Sequence, residues 1–257
     1  MTTKTTLDPI GDKYFAPLRV ADQASDLLFI TTAVLSFAAL MVDKNDQPNT
    51  YNFVQTAFII CVVGLFVVGQ AIRLYLWPRA EDRRREEFLS NTLSVSLTHE
   101  RTSGYYNNSE TDPIRRMGVA VLENTHFTMN IALEMARNER FRITAYGLGW
   151  LLMVLNRETD LGWIAVAAQA VFSEQLVSRW LRIEWLRIKA EEIHFALAKV
   201  FNSAPSPEML RAYVLDAFGT YETTKANGGV VLSTTIFMRR NNELSKEWDE
   251  KKKSMNL

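Results

Sequence analysis

The chain has 257 residues with 29 basic and 29 acidic side chains, so its formal net charge is zero and it offers no overall basic field to a DNA or RNA duplex. Its single cysteine, Cys61, excludes a disulfide framework and a cysteine-based zinc site. The mean hydropathy of -0.08 is that of a soluble domain, but charge is spread so unevenly that the average mixes membrane and cytosolic parts.

A spanning helix needs about 20 mostly apolar residues. Leu27 to Val42 (LLFITTAVLSFAALMV) carries no charge, and Ala21 to Val42 reaches the length if Asp22 and Asp26 sit at the interface. A second uncharged run covers Gln47 to Ile72, followed by Tyr75 and Trp77 as an aromatic belt. Pro78 ends this helix or starts the next. The two spans form a hairpin joined by DKNDQPN. The first apolar run starts too late, and lacks the cleavage site, for a removed signal peptide.

A weaker pair follows: Ile143 to Asn156 and Leu161 to Ser173, uncharged for 14 and 13 residues and joined by RETD. Thr159 or Asp160 is placed to cap the second of these helices. Arg140, Arg142, Arg179 and Arg182 can snorkel at their flanks. The pair reads either as two full spans or as a buried or re-entrant hairpin. Basic residues set the orientation: 11 arginines lie in 73–142 and 13 basic residues after 175, whereas the short connectors hold only Lys44 and Arg157. Both termini and the middle segment are therefore expected inside.

The expected architecture is mainly α: an integral membrane protein with four transmembrane helices in two hairpins and a helical cytosolic domain. Its parts are a cytosolic N-terminal segment (1–20), a first hairpin (21–77), a cytosolic helical insert (78–140), a second hairpin (141–178) and a cytosolic C-terminal helical region (179–257).

In the insert, residues 79–97 read as a charged helix. Arg83, Arg84 and Arg85 there either meet anionic headgroups or form a solvated face paired with Glu81, Glu86 and Glu87. The polar loop 98–113 (THERTSGYYNNSETDP) follows. Tyr105 and Tyr106 can stack on a nucleobase, Arg101, Arg115 and Arg116 can bind phosphate, and Asn107 completes the candidate ligand set. The alternative is a tyrosine anchor with solvated arginines. Ile114, Met117, Val121, Ile131 and Met135 give helical spacing running into the third span. From Leu161 to Phe201 no Gly or Pro follows Gly162, which permits one helix about 60 Å long. Ser206 and Pro207 start another helix to about Asn227, Gly228 and Gly229 end it, VVLSTTIF has the composition of a short strand, and NELSKEWDEKKK is a final charged helix.

No GxSxG, GxxxxGK[ST] or GxGxxG is present, and the chain is read as a non-enzyme without a cofactor. One catalytic alternative arises from two ExxH motifs, Glu123 to His126 and Glu191 to His194, whose i, i+3 spacing suits a di-iron carboxylate oxidase with Glu87 and Glu222 as further ligands. Another alternative is a non-catalytic membrane adaptor. Polar residues within the spans are the other signal. Gln70, Gln169, Ser173 and Glu174 are candidate pore-lining positions, with interhelical hydrogen bonding as the competing reading.

The chain resembles the four-transmembrane pore-forming effector family of bacterial cyclic-oligonucleotide (CBASS-like) antiphage defence systems. The resemblance lies in LSNTLSVSL (89–97), SGYYNN (103–108), ENTHFT (123–128), YETTKA (221–226) and IFMRRNNELSKEW (236–248), in that order among the spans. It implies a multi-pass protein of the inner membrane with lipid as its first partner. It further implies a cyclic di- or trinucleotide bound by the cytosolic part, and a homo-oligomer that breaches the bilayer.

Overall fold

The computed structural model describes residues 8–100, 108, 110–156, 159–255 and 257. Every regular element among them is a helix: α1 (Ala16–Met41), α2 (Pro48–Ala71), α3 (Trp77–Leu93), α4 (Pro113–Leu155), α5 (Leu161–Val171), α6 (Arg179–Asn202), α7 (Pro207–Gly228) and α8 (Thr234–Ser254). Three single π-helical turns, Gly11–Phe15, Ile72–Leu76 and Glu174–Ser178, precede α1, α3 and α6.

Local chemistry explains most boundaries. Pro48 and Pro207 occupy first-turn positions, where a missing N–H costs nothing. Asp160 accepts from the Gly162 N–H at 2.6 Å and Ser206 from Met209 at 3.3 Å, capping α5 and α7. Gly229 ends α7 at φ 55°, a left-handed conformation suited to glycine. The expected strand VVLSTTIF does not form. Ser233 accepts from the Ile236 N–H at 3.3 Å and caps α8, so the second half of that run is helical. The single helix expected over 161–201 is broken: Phe172 closes α5, and Ser173 turns to ψ 163° before the chain re-enters a helical turn at Glu174. Serine at the restart with an acid behind it has N-terminus chemistry, which supplies a break without Gly or Pro.

The chain divides into two compact units. One comprises residues 1–16, 78–136 and 182–257. Its core is built around the first half of α4, where Met117, Val121, Ile131 and Met135 are buried. Clustered with Met117 and Val121 are Phe88 of α3, Leu197 and Phe201 of α6, Val214 and Tyr221 of α7 and Trp248 of α8. A second cluster adds Ile183, Leu186, Ile236 and Leu244. Each such side chain contributes about 1.5–3 kcal/mol, enough to give this unit a core of its own. Gly118 is where the helices close up: a Cβ there would lie 2.7 Å from the Phe201 ring and 2.9 Å from Val214.

The other unit comprises residues 17–77 and 137–181. Phe37 of α1 stacks on Trp163 of α5 at 5.7 Å, and Trp150 of α4 meets Phe172 edge-on at 5.6 Å. The helical stretches Gly11–Met41 and Pro48–Leu93 are long and apolar enough to cross a membrane. Their surfaces are apolar outward as well: Phe53 is 73% exposed, Ile60 and Phe66 each 65%. The same holds for Leu148 and Leu152 on α4 and Leu161 on α5.

Candidate functional site

The core unit holds two polar clusters. The first forms around His126 on α4, which is fully buried. Its Nε2 donates to the Leu244 carbonyl of α8 at 3.1 Å, and its Nδ1 accepts from Lys251 Nζ at 3.0 Å, so the tautomer is set by its partners. His194 of α6 donates from Nδ1 to the Leu122 carbonyl at 3.1 Å, and the two rings lie 6.0 Å apart. Burial, with the positive charge of Lys251 added, lowers both imidazoles to about 4. Lys251 is itself lowered by burial, against the pull of Glu247. Glu123, one turn before His126, is pushed up to about 7, chiefly by burial; Asp249 adds to the rise and Lys252 opposes it.

The two ExxH histidines therefore do come together, but their carboxylates do not. Glu191 pairs with Arg187 at 2.8 Å, Glu87 accepts from Asn91 at 2.9 Å and Glu222 accepts from Arg84 at 2.7 Å. Both nitrogens of His126 are engaged. Among the described residues no group of three or more His, Cys, Asp or Glu side chains could hold a metal ion. These residues do not fit a dinuclear iron centre; they fit a buried histidine pair that clasps α8.

The second cluster joins α3, α4 and α7. Arg84 donates to Glu81 at 2.8 Å and to Glu222 at 2.7 Å, and Lys225 lies 3.8 Å from Glu81. Two acids and two bases cancel, as burial demands. Burial alone would lower Arg84, but Glu81 and Glu222 hold it well above its usual range. Burial alone would raise Glu81, but Arg84 and Lys225 hold it below the carboxylate range. Burial lowers Lys225 and pushes Tyr221, which shares a hydrogen bond of 3.1 Å with Thr128, up to about 12. Arg83 and Arg85 pair along the helix with Glu86 and Asp82 at 2.6 and 2.9 Å. The expected headgroup patch at 83–85 is thus an ion-paired helix with its middle arginine half-buried.

Of the candidate ligand residues, Arg101, Tyr105, Tyr106 and Asn107 lie outside the described residues. Arg115 and Arg116 have separated roles. Arg116 donates to the Glu110 carbonyl at 2.8 Å and Ser94 Oγ at 2.7 Å, and so ties the end of α3 to the start of α4. Arg115 lies over the Phe201 ring at 5.7 Å, pairs with Glu110 at 3.1 Å, and lines a cleft of about 360 Å³ with Phe201, Asn202, Pro205, Leu210 and Met255. The cleft offers one cation, already paired with Glu110, beside an aromatic ring, with a lining more polar than apolar.

In the apolar unit, Gln70 is half-buried near the end of α2. Gln169 and Glu174 are exposed on either side of the break after α5, and the Ser173 hydroxyl is buried within it without a hydrogen-bond partner among the described residues. One feature of this unit was not anticipated from sequence. Arg179 reaches both carboxylates of α1, Asp26 at 2.8 Å and Asp22 at 3.4 Å. Two acids four residues apart at the polar end of an apolar helix are the signal for such a partner.

Comparison of the chain with protein-family models, with curated proteins and with solved structures found no match.

Proposed function

We propose that the protein is a multi-pass inner-membrane effector of antiphage defence, with both termini cytoplasmic, that acts as an oligomeric pore or breach controlled through its helical core unit. The carrying observation is the surface of the second unit. Large apolar side chains on α1, α2, the end of α4 and α5 point outward, an arrangement that water penalises and hydrocarbon does not. On this reading α4 beyond residue 142 and α5 are the third and fourth spans.

Those two are short, which bears on mechanism. Eleven residues of α5 rise only about 16 Å, roughly half of a hydrocarbon core. A short hairpin thins the bilayer around it or gathers copies of itself, and both favour leakage. Four spans enclose little water alone, so Gln70, Gln169, Ser173 and Glu174 would line a path only within an assembly. The Arg115 cleft, with Tyr105 and Tyr106 nearby in sequence, is the candidate receiver of a cyclic di- or trinucleotide, and a protein partner is the other controller the reading allows.

The test is dye release from liposomes holding the purified protein, with and without a panel of cyclic di- and trinucleotides. Release triggered by one nucleotide and weakened by Arg115→Ala supports the proposal. Release without a nucleotide keeps the pore and transfers control to a partner. Inserted, folded protein that never releases dye overturns the pore and leaves an adaptor.

A further inference from the structure

Helix α4 changes its outward face where it leaves the core unit. Arg137, Phe141, Thr144, Leu148, Leu152 and Leu155 follow one another at intervals of three and four residues along an unbroken helix, and all six are exposed. Phe141 is 77% exposed, and Leu152 and Leu155 are each 68% exposed. The stripe is a cation followed by an apolar track. The acids near that cation are engaged elsewhere. Glu134, one turn before it, is held by Arg239 and Arg240 of α8, and buried Glu139 pairs with Arg142 at 3.2 Å. Arg137 has no acidic partner among the described residues.

We propose that this face holds an anionic phospholipid, with its phosphate on Arg137 and an acyl chain along Phe141, Thr144 and Leu148. The lengths agree: Arg137 to Leu148 rises about 16 Å, close to half of a hydrocarbon core about 30 Å thick. Side chains on a helix lean toward its N-terminus, so the guanidinium is carried away from the apolar track and toward the cytosolic headgroups. A guanidinium takes a phosphate through parallel N–H donors. A choline headgroup brings its own cation and competes with Arg137 for that phosphate, whereas an anionic headgroup leaves it to the arginine. The inference rests on the membrane reading and adds to it the class of lipid.

The rest of the apolar unit agrees on the sign of the charge. On α2, exposed Ile59, Val63 and Phe66 keep the same spacing, and the chain beyond them reaches exposed Arg73, again without an acidic partner among the described residues. The acids of α1 are neutralised, since Arg179 takes both Asp22 and Asp26. At the opposite ends of the same spans the exposed charges among the described residues are Asp43, Lys44, Asp46 and Asp160, an acidic balance. One end of the unit thus presents cations outward and the other does not. That matches a leaflet rich in anionic lipid on the side where the membrane reading puts both termini.

The test places the full chain in nanodiscs of equal phosphatidylglycerol and phosphatidylcholine and counts the lipids retained by the released protein in native mass spectrometry. Phosphatidylglycerol is expected to be retained in preference. Arg137→Gln is expected to cut the ratio of the two lipids about fivefold, the effect of one arginine at a charged surface, and Arg137→Lys to keep most of it. Arg83→Gln, which removes an arginine already paired with Glu86, is expected to leave the ratio unchanged. Glycerol phosphate, an anion without an acyl chain, is expected not to displace the lipid. Equal retention of the two lipids overturns the inference, as does a ratio that ignores Arg137→Gln or falls equally with Arg83→Gln. Displacement by glycerol phosphate removes the apolar track from the site and overturns it too. So do dimers that retain no lipid, which assign the stripe to a second copy. Protein removed from liposomes by alkaline extraction defeats the membrane reading instead, a result visible before any lipid is counted.

Discussion

Replacing Glu123 with glutamine should make the core unit more sensitive to acid, although it removes an acid. His126 and His194 fall from an ordinary 6.5 to about 4 on folding. Both bind protons more tightly when unfolded, so their contribution is complete above pH 6.5 and drains as pH falls towards 4. Between pH 7.5 and 5.5 that loss is about 1.4 kcal/mol for each ring, or about 2.7 kcal/mol for the pair. Glu123 acts in the opposite sense. Raised from 4.5 to about 7, it binds its proton more tightly when folded, so its burial costs little below pH 4.5 and progressively more up to pH 7. Acidification over the same interval returns about 1.8 kcal/mol. The native protein is then nearly flat, losing about 1 kcal/mol, whereas Glu123→Gln loses close to 3 kcal/mol. The assay is amide exchange of α4 residues 119–132 in the full chain, read by mass spectrometry and corrected for the intrinsic pH dependence of exchange. Equal slopes for the two proteins would refute the assignment of the proton to Glu123. A native slope of about 3 kcal/mol would refute the compensation.

Gly118→Ala should destabilise the core unit by about 1–3 kcal/mol, because a Cβ meets Phe201 and Val214 below contact distance. Gly219→Ala, on a helix face with nothing within 4 Å, should stabilise it by about 0.5–1 kcal/mol; thermal shifts of opposite sign check the pair. Arg84→Met should cost about 3–5 kcal/mol by leaving buried Glu81 and half-buried Glu222 without their main partner, and adding Glu222→Gln, which leaves Glu81 balanced by Lys225, should recover much of it. Arg179→Gln should lower the melting temperature in detergent, with Asp22→Asn and Asp26→Asn together restoring it; a triple variant no better than the single one would remove the ion triad from the account.

Helix ends written in side-chain chemistry were legible in the sequence: Asp160, the Ser206–Pro207 start and Gly229 all occupy the positions their chemistry favours. So was the core face of α4, since Met117, Val121, Ile131 and Met135 keep a single period. Features set by another element were not. Arg84 looks like its neighbours Arg83 and Arg85 until α7 brings Glu222 against it. His126 and His194 look like ligands because each has a glutamate at i-3, yet the partners that define them are carbonyls of Leu122 and Leu244 and an amine 125 residues away. Backbone carbonyls leave no mark in a residue pattern. Arg115 and Arg116 show the same limit at closer range: adjacent side chains leave a helix about 100° apart, so one faces the cleft while the other ties the loop.

The three π-helical turns explain why the ends of the apolar runs were the hardest to read. Gly11–Phe15, Ile72–Leu76 and Glu174–Ser178 each stand within a few residues of a point where the chain passes from one unit to the other, at 16/17, 77/78 and 181/182. A π turn accommodates one extra residue, so the face presented beyond it is offset by about 100° from the one a regular helix would present. Through Ile72–Leu76, where the helix runs on without a break, a stripe followed along the chain drifts out of phase; before Glu174–Ser178 the break at Phe172 and Ser173 has already reset it. The fourth passage, at 136/137, lies inside unbroken α4. There the sequence changes character instead: buried Met135 and Ala136 give way to Arg137, Glu139 and Arg140, and then to the exposed apolar side chains that follow Ile143. Two solutions to one requirement are thus present, a change of register in the backbone and a change of composition along a constant register, and only the second is written in residue types.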